Sequence, residues 1–437
     1  MTISASVDPQ TLPTAETVFR YCLPSGAVLL IRHNASSPSV VINAFVRTGS
    51  AAEPSDRHGL TQFMTEMLIR GTHTRSAGEL WESVESLGAS LGVSHTKHTI
   101  VFSAKCLAED TFTLLELLGD IQQNPTFPDL EIERVRGEML TELDERMHST
   151  RYVASRSFHE LAFPSDHPYS APDIGTPESV SAISRNDLVG FFEKTVPVRP
   201  VIIVIVGQVD PESVRDYILA HWENGSGSRI AESTRYPNVS ARTSSTERHV
   251  VVDGKVQIDL VFGGIGPSRT DSSFLATNLA NVVLGGFGLM GRLGLSVREE
   301  KGLAYYATTR LAGGPVPGTW QCIAGVSPEH YYEAVDTIRA EVERMCREPV
   351  PDEEFADCKS CVIGSLPLAL ESNESMAFAM MEIEYFDLGW DYLLRYPDSI
   401  ASITQEDVMD VVRRYLNPAT AILASAGPEK NGTEGAE

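Results

Sequence analysis

Gln62 and Glu66 stand four residues apart in the run Leu60–Leu68, where Leu60, Phe63, Met64, Met67 and Leu68 recur at helical spacing. Side chains at i and i+4 share a helix face, so these two oxygen-bearing groups aim at one point, as paired metal ligands would. A hydrolytic zinc ion needs three good ligands and an open position for water, whose pKa it brings from about 16 to about 7. Gln62 offers a neutral amide oxygen, a poor zinc donor. Thr65, between them, has no carboxylate with which to take a proton from water. The spacing is that of a metal helix; the chemistry is missing.

Other chemistry-bearing spacings lead to plainer readings. Cys358-Lys359-Ser360-Cys361 spells C-x-x-C inside a helical pattern with no second pair, so both cysteines are read as helix residues. His95 and His98, three apart in a predicted strand, should face opposite sides, and His58, His73 and His148 have no ligand type at i+4. All are expected on the surface or in loops. Gly286, Gly288 and Gly291 match G-x-G-x-x-G, but helical rather than strand periodicity precedes them and no acid lies near position 311, as a dinucleotide site requires. The segment Gly285, Gly286, Gly288 is expected to be a backbone-exposing loop between two helices, suited to the rim of a peptide-binding site.

The elements that must hold these residues follow from patterning. The chain of 437 residues suits several domains with cores of their own, and its net charge of −24 excludes a phosphate-neutralising surface for nucleic acid. No apolar run approaches 18 residues, and Met1–Pro13 lacks the charged-then-apolar pattern of a secretory signal, so no membrane span and cytoplasmic residence are expected. The order of elements occurs twice. Ile183-Ser184-x-x-Asp187-Leu188 and Ile403-Thr404-x-x-Asp407-Val408 open helices, and apolar strands then end at Gly207 and Gly427; each pair of positions is offset by 220. This predicts an α+β protein of two structurally repeated domains, residues 1–225 and 249–437, joined by a Gly/Ser/Thr/Asn-rich linker at 226–248. Long helical tracts are expected over 128–163 and 352–388, and helices end at Gly71 and Gly88.

The stretch from His58 to Thr72 resembles the signature helix of the pitrilysin/insulinase (inverted zincin) metallopeptidases, which carries His-x-x-Glu-His where this chain has Gln62 to Glu66. The segment from Gly291 to Tyr305 is similar to the same family's second signature, with Arg298 and Tyr305 at its separation of seven. The resemblance covers nearly the whole chain. It implies a fold in which each repeat is a mostly antiparallel sheet covered by helices on one face, together forming half of a clamshell. It places the third zinc-ligand position at Glu142, which is retained, and a supporting glutamate at Val135, which is not. Gln62, Glu66 and Glu142 would then be a solvated polar pocket, or Glu66 an ion-pair partner of Arg or Lys; the other use of this all-oxygen set is Ca²⁺ or Mg²⁺.

Several enzymes of this family divide labour between a zinc-bearing chain and a homologue that lacks zinc. The resemblance thus implies a non-catalytic subunit of a heterodimeric zinc endopeptidase acting on unfolded peptides. This chain would bind no metal, the zinc would sit in the partner subunit, and Arg298 and Tyr305 would position substrate and stabilise the oxyanion there. The alternative is a peptide-binding or scaffold homodimer with no proteolytic role.

Overall fold

The computed structural model describes residues 9–196, 202–223, 236–237, 239, 242–286 and 288–430. The first half builds a six-stranded sheet from β1 (Phe19–Cys22), β2 (Val28–His33), β3 (Ser39–Val46), β4 (Ser90–His95), β5 (Ile100–Leu107) and β6 (Ile202–Gly207). The second builds a five-stranded sheet from β7 (Thr246–Val251), β8 (Ile258–Ile265), β9 (Ala304–Ala312), β10 (Thr319–Val326) and β11 (Ile422–Gly427). Their orders are β1-β2-β6-β3-β5-β4 and β7-β11-β8-β10-β9. In the first, β6 inserts parallel to β2 and antiparallel to β3; in the second, β11 inserts parallel to β7 and antiparallel to β8. The two topologies are therefore identical apart from β1, which the sequence pattern did not reveal.

The repeat offset survives in three dimensions. Helices Arg185–Thr195 and Gln405–Tyr415 both open with capping boxes, Ser184 with Asp187 and Thr404 with Asp407. β6 and β11 follow with every residue buried, which is why neither alternates in sequence: a central strand covered on both faces reads as a continuous apolar run. Both end at a glycine with positive φ whose backbone lies against the neighbouring strand. A Cβ on Gly207 would sit 2.3 Å from Ser39 O and one on Gly427 2.6 Å from Gln257 O. Gly207→Ala should destabilise the chain by more than about 1 kcal/mol, read as a lowered urea midpoint.

Helices cover one face of each sheet, as expected. In the first half Leu29, Ile42, Phe102 and Ile205 meet Phe63, Met64, Leu118 and Leu188. In the second Leu260, Phe262 and Trp320 meet Leu279, Ile338 and Val412. The opposite faces are closed by exchange. The helix Thr150–Ala162 of the first half lays Val153, Ala154 and Phe158 on Val261, Ile422 and Ala424 of the second sheet. The helix Asn373–Tyr385 of the second half lays Met376, Met380 and Met381 on Leu30, Phe45 and Val204 of the first. Each half completes the other's core.

Three sequence expectations change. The tract over 128–163 is two helices, Asp129–Met147 and Thr150–Ala162, because Ser149 caps the second by accepting from Tyr152 N. The tract over 352–388 divides into Asp352–Gly364, Leu366–Ala369 and Asn373–Tyr385. Most of the expected linker, 226–248, lies outside the described residues, but Thr246–Arg248 already belongs to β7. Helices Pro211–His221 and Tyr392–Ser402 were not anticipated. Among the described residues no helix is long and apolar enough to cross a membrane.

Candidate functional site

The helix Leu60–Leu68 is seated by its start. Gly59 adopts φ +89°, and the buried Glu53 carboxylate accepts from Gly59 N (3.1 Å) and Thr61 N (2.7 Å), satisfying amides the first turn leaves open. Its apolar face is fully buried, and it packs against β4 and the helices Asp129–Met147 and Arg185–Thr195. Gln62 and Glu66 share the other face and touch: Gln62 Nε2 donates to Glu66 Oε1 at 3.0 Å. Thr65 is buried and its hydroxyl donates back to Gln62 O at 2.9 Å.

Glu142 is brought near this pair from the helix Asp129–Met147. Burial pushes the Glu66 carboxyl upward; Arg70 opposes this, and the carboxylates of Glu138 and Glu142 add to it. Glu142 itself is engaged, its Oε1 accepting from Arg146 Nε and Nη2 at 2.9 and 2.6 Å. Val135 lies in the core. The set does not fit a zinc ion: one amide tied to its neighbour, one half-buried carboxyl whose charged form burial disfavours, one carboxylate held by arginine. Among the described residues no three His, Cys, Asp or Glu side chains come together in a way that could hold a metal. Cys358 and Cys361 are helix residues, with the buried Cys358 thiol pushed up to about 11.

The second constellation is built by a turn. Arg298 lies in the π-helical segment Gly294–Glu300. Gly302, at φ +64°, reverses the chain; its N–H donates to Arg298 O (3.0 Å) and that of Leu303 to Val297 O (2.9 Å). The turn launches β9, so one backbone unit fixes both Arg298 and Tyr305. Tyr305 is 82% exposed at the start of this edge strand, where the pairing with β10 shifts register between Ala304 and Tyr306 and gives Tyr305 no cross-strand partner. Tyr306, past this shift, rejoins the regular ladder opposite Gly325. Its hydroxyl reaches the buried Asp259, which also accepts from Thr150, while Arg151 lies 4.5 Å over its ring. Arg298 is half-exposed, 3.6 Å from Glu299.

The glycine segment differs from the expected open loop. Gly285 and Gly286 belong to a π-helical turn, Val282–Gly286, and Gly285 is buried where the helix meets β9. A Cβ there would meet Thr309 N at 3.1 Å, so this glycine serves close packing. Gly288, exposed at φ +64°, keeps the character of a turn; Phe287 lies outside the described residues. Wide helical turns on both sides of this segment are a common mark of functional positions.

His95 and His98 depart furthest from expectation, whereas His73 and His148 are exposed as expected. His95 ends β4, but His98 lies in the turn to β5, where strand alternation no longer holds, and both line one cavity between the halves. His98 Nδ1 pairs with Tyr236 Oη at 2.8 Å and Nε2 with Tyr169 Oη; Gly314 of the β9–β10 connection packs on the same group. No sequence periodicity marks this junction. Burial lowers the His98 pKa to about 4, and Lys97 adds to the effect. The native chain thus refuses a proton that the unfolded chain accepts below about 6.5. This contribution is present above pH 6.5 and lost as pH falls towards 4. Wild type should lose about 2–3 kcal/mol more than His98→Gln between pH 7 and 4, measured by urea unfolding.

Comparison with known proteins agrees with this fold. The chain matches the family described as Insulinase (Peptidase family M16) over residues 28–171 and the Peptidase M16 inactive domain over residues 182–360. It is 25% identical over 421 residues to an uncharacterized zinc protease of Streptomyces coelicolor, covering 95% of this chain and 90% of that one. Among solved structures, a peptidase M16 inactive domain from Pseudomonas fluorescens superposes with a TM-score of 0.87 at 21% identity, covering 95% of this chain and 99% of that one. A protease from Helicobacter pylori does so with a TM-score of 0.85 at 18% identity, covering 95% and 100%. The chain belongs to the insulinase (M16) metallopeptidase family.

Proposed function

We propose that this chain is the non-catalytic subunit of a heterodimeric zinc endopeptidase, lending Arg298 and Tyr305 to an active site whose zinc is held by a homologous partner. The observation that carries this reading is the contrast between its two constellations. In the first half the hydrolytic positions are Gln62, Thr65 and an engaged Glu142; in the second, Arg298 and Tyr305 stand at a sheet edge, fixed by one turn and open to a partner. A tyrosine hydroxyl can donate to a carbonyl oxygen as it becomes an oxyanion, and a guanidinium can hold the backbone of an unfolded peptide. Edge strands such as β9 accept an added strand, a mode that tolerates varied peptide sequences.

The test is reconstitution. The chain is purified alone and together with a homologue from the same source that has an intact His-x-x-Glu-His. Chelator-sensitive cleavage of a casein-derived peptide mixture should appear only when both are present. Cleavage of that kind by the isolated chain would overturn the proposal.

A further inference from the structure

A cavity of about 660 Å³ lies between the two halves, lined by the crossing helices and not by Arg298 or Tyr305. That volume is in the range of small-molecule sites. Its walls come from both repeats: the β4–β5 turn, the β9–β10 connection, the segment 169–174 and the two exchanged helices. Although the chain carries a net charge of −24, the lining is locally basic, with Lys97, Arg146, Arg156 and Arg310 against Asp173 and Glu382.

Three of those cations are already engaged. Lys97 pairs with Asp173 at 2.8 Å, Arg146 with Glu142 at 2.6 Å and Arg156 with Glu160 at 3.0 Å. Arg310 is different: exposed on β9 at the cavity wall, its guanidinium makes no ion pair or hydrogen bond among the described residues. Across the cavity Phe378 leaves 55% of its surface uncovered on a helix whose other face is core, and Tyr385 and Phe386 extend the aromatic wall. Tyr152 and His95, also in the lining, keep a buried hydroxyl and Nε2 without a hydrogen-bond partner among the described residues.

We infer that this cavity is a binding site for a small apolar carboxylate whose anion pairs with the Arg310 guanidinium and whose body lies on Phe378. A guanidinium offers a carboxylate two parallel donors, and a phenyl ring left open inside a cavity supplies the apolar contact. The inference does not depend on a partner subunit or on proteolysis, so it stands or falls independently of the proposed function.

The experiment uses the full chain and saturation-transfer NMR with 4-phenylbutyrate, its neutral amide and 4-phenylbutylamine. The carboxylate should bind saturably, about tenfold or more tighter than the amide, with the amine weakest. Arg310→Gln should bring the carboxylate to the amide's affinity with the unfolding midpoint unchanged, because the side chain is exposed. Phe378→Ala should weaken carboxylate and amide alike. Equal affinity for carboxylate and amide, a full carboxylate preference in Arg310→Gln, or no saturation below about 10 mM would each overturn the assignment.

Discussion

Replacing Tyr305 by Phe is expected to lower kcat of the reconstituted complex by about 10²–10³-fold while leaving assembly intact. The side chain is 82% exposed and carries no packing that the ring of Phe would not preserve, so the change removes one hydroxyl and little else. A donor aimed at a developing oxyanion acts on the transition state more than on bound substrate, so kcat should fall with KM nearly unchanged. Arg298→Gln should behave differently. If the guanidinium holds the substrate backbone in both states, its loss raises KM more than it lowers kcat. The contrast between the two variants separates oxyanion stabilisation from substrate positioning. A Tyr305→Phe complex with full turnover would remove the assigned role. Size-exclusion chromatography of each complex checks that assembly is unaffected.

Phe158→Ala is expected to destabilise the whole chain by about 3–5 kcal/mol, read from urea or thermal unfolding. Phe158 is fully buried and belongs to a first-half helix packed on Val261, Ile422 and Ala424 of the second sheet. Met380, from a second-half helix, is equally buried against Leu30, Phe45 and Val204 of the first. Because each half covers an apolar face of the other, neither can open alone without exposing a sheet to water. Phe158→Ala and Met380→Ala should therefore each lower a single cooperative transition. Two resolved transitions, with only one moved by Phe158→Ala, would show that the exchange does not couple the halves.

Legibility in the sequence followed the range of the interactions. The helix before Gly71, which the structure ends at Leu68, the helix starts at Ser184 and Thr404, and the repeat offset were all readable. Each rests on periodicity or on contacts within a few residues. The departures from the metal helix were readable for the same reason, since Gln62, Thr65 and Glu66 define their own face. The spacing of Arg298 and Tyr305 was visible, and the glycine at 302 indicated a reversal between them.

What the sequence determined, then, is an α+β chain of two repeats, with a first-half site stripped of zinc chemistry and an Arg/Tyr pair in the second. Only the tertiary structure decided which faces the helices Thr150–Ala162 and Asn373–Tyr385 cover, since an amphipathic stripe states that it must be buried and not against what. It likewise decided that Gly285 serves close packing on β9 and that Arg146 engages Glu142. It also gathered His98, Tyr169 and Tyr236 at one junction, from positions up to 138 residues apart. Such contacts join residues remote in the chain, and their energies depend on distances that no local pattern of side chains encodes.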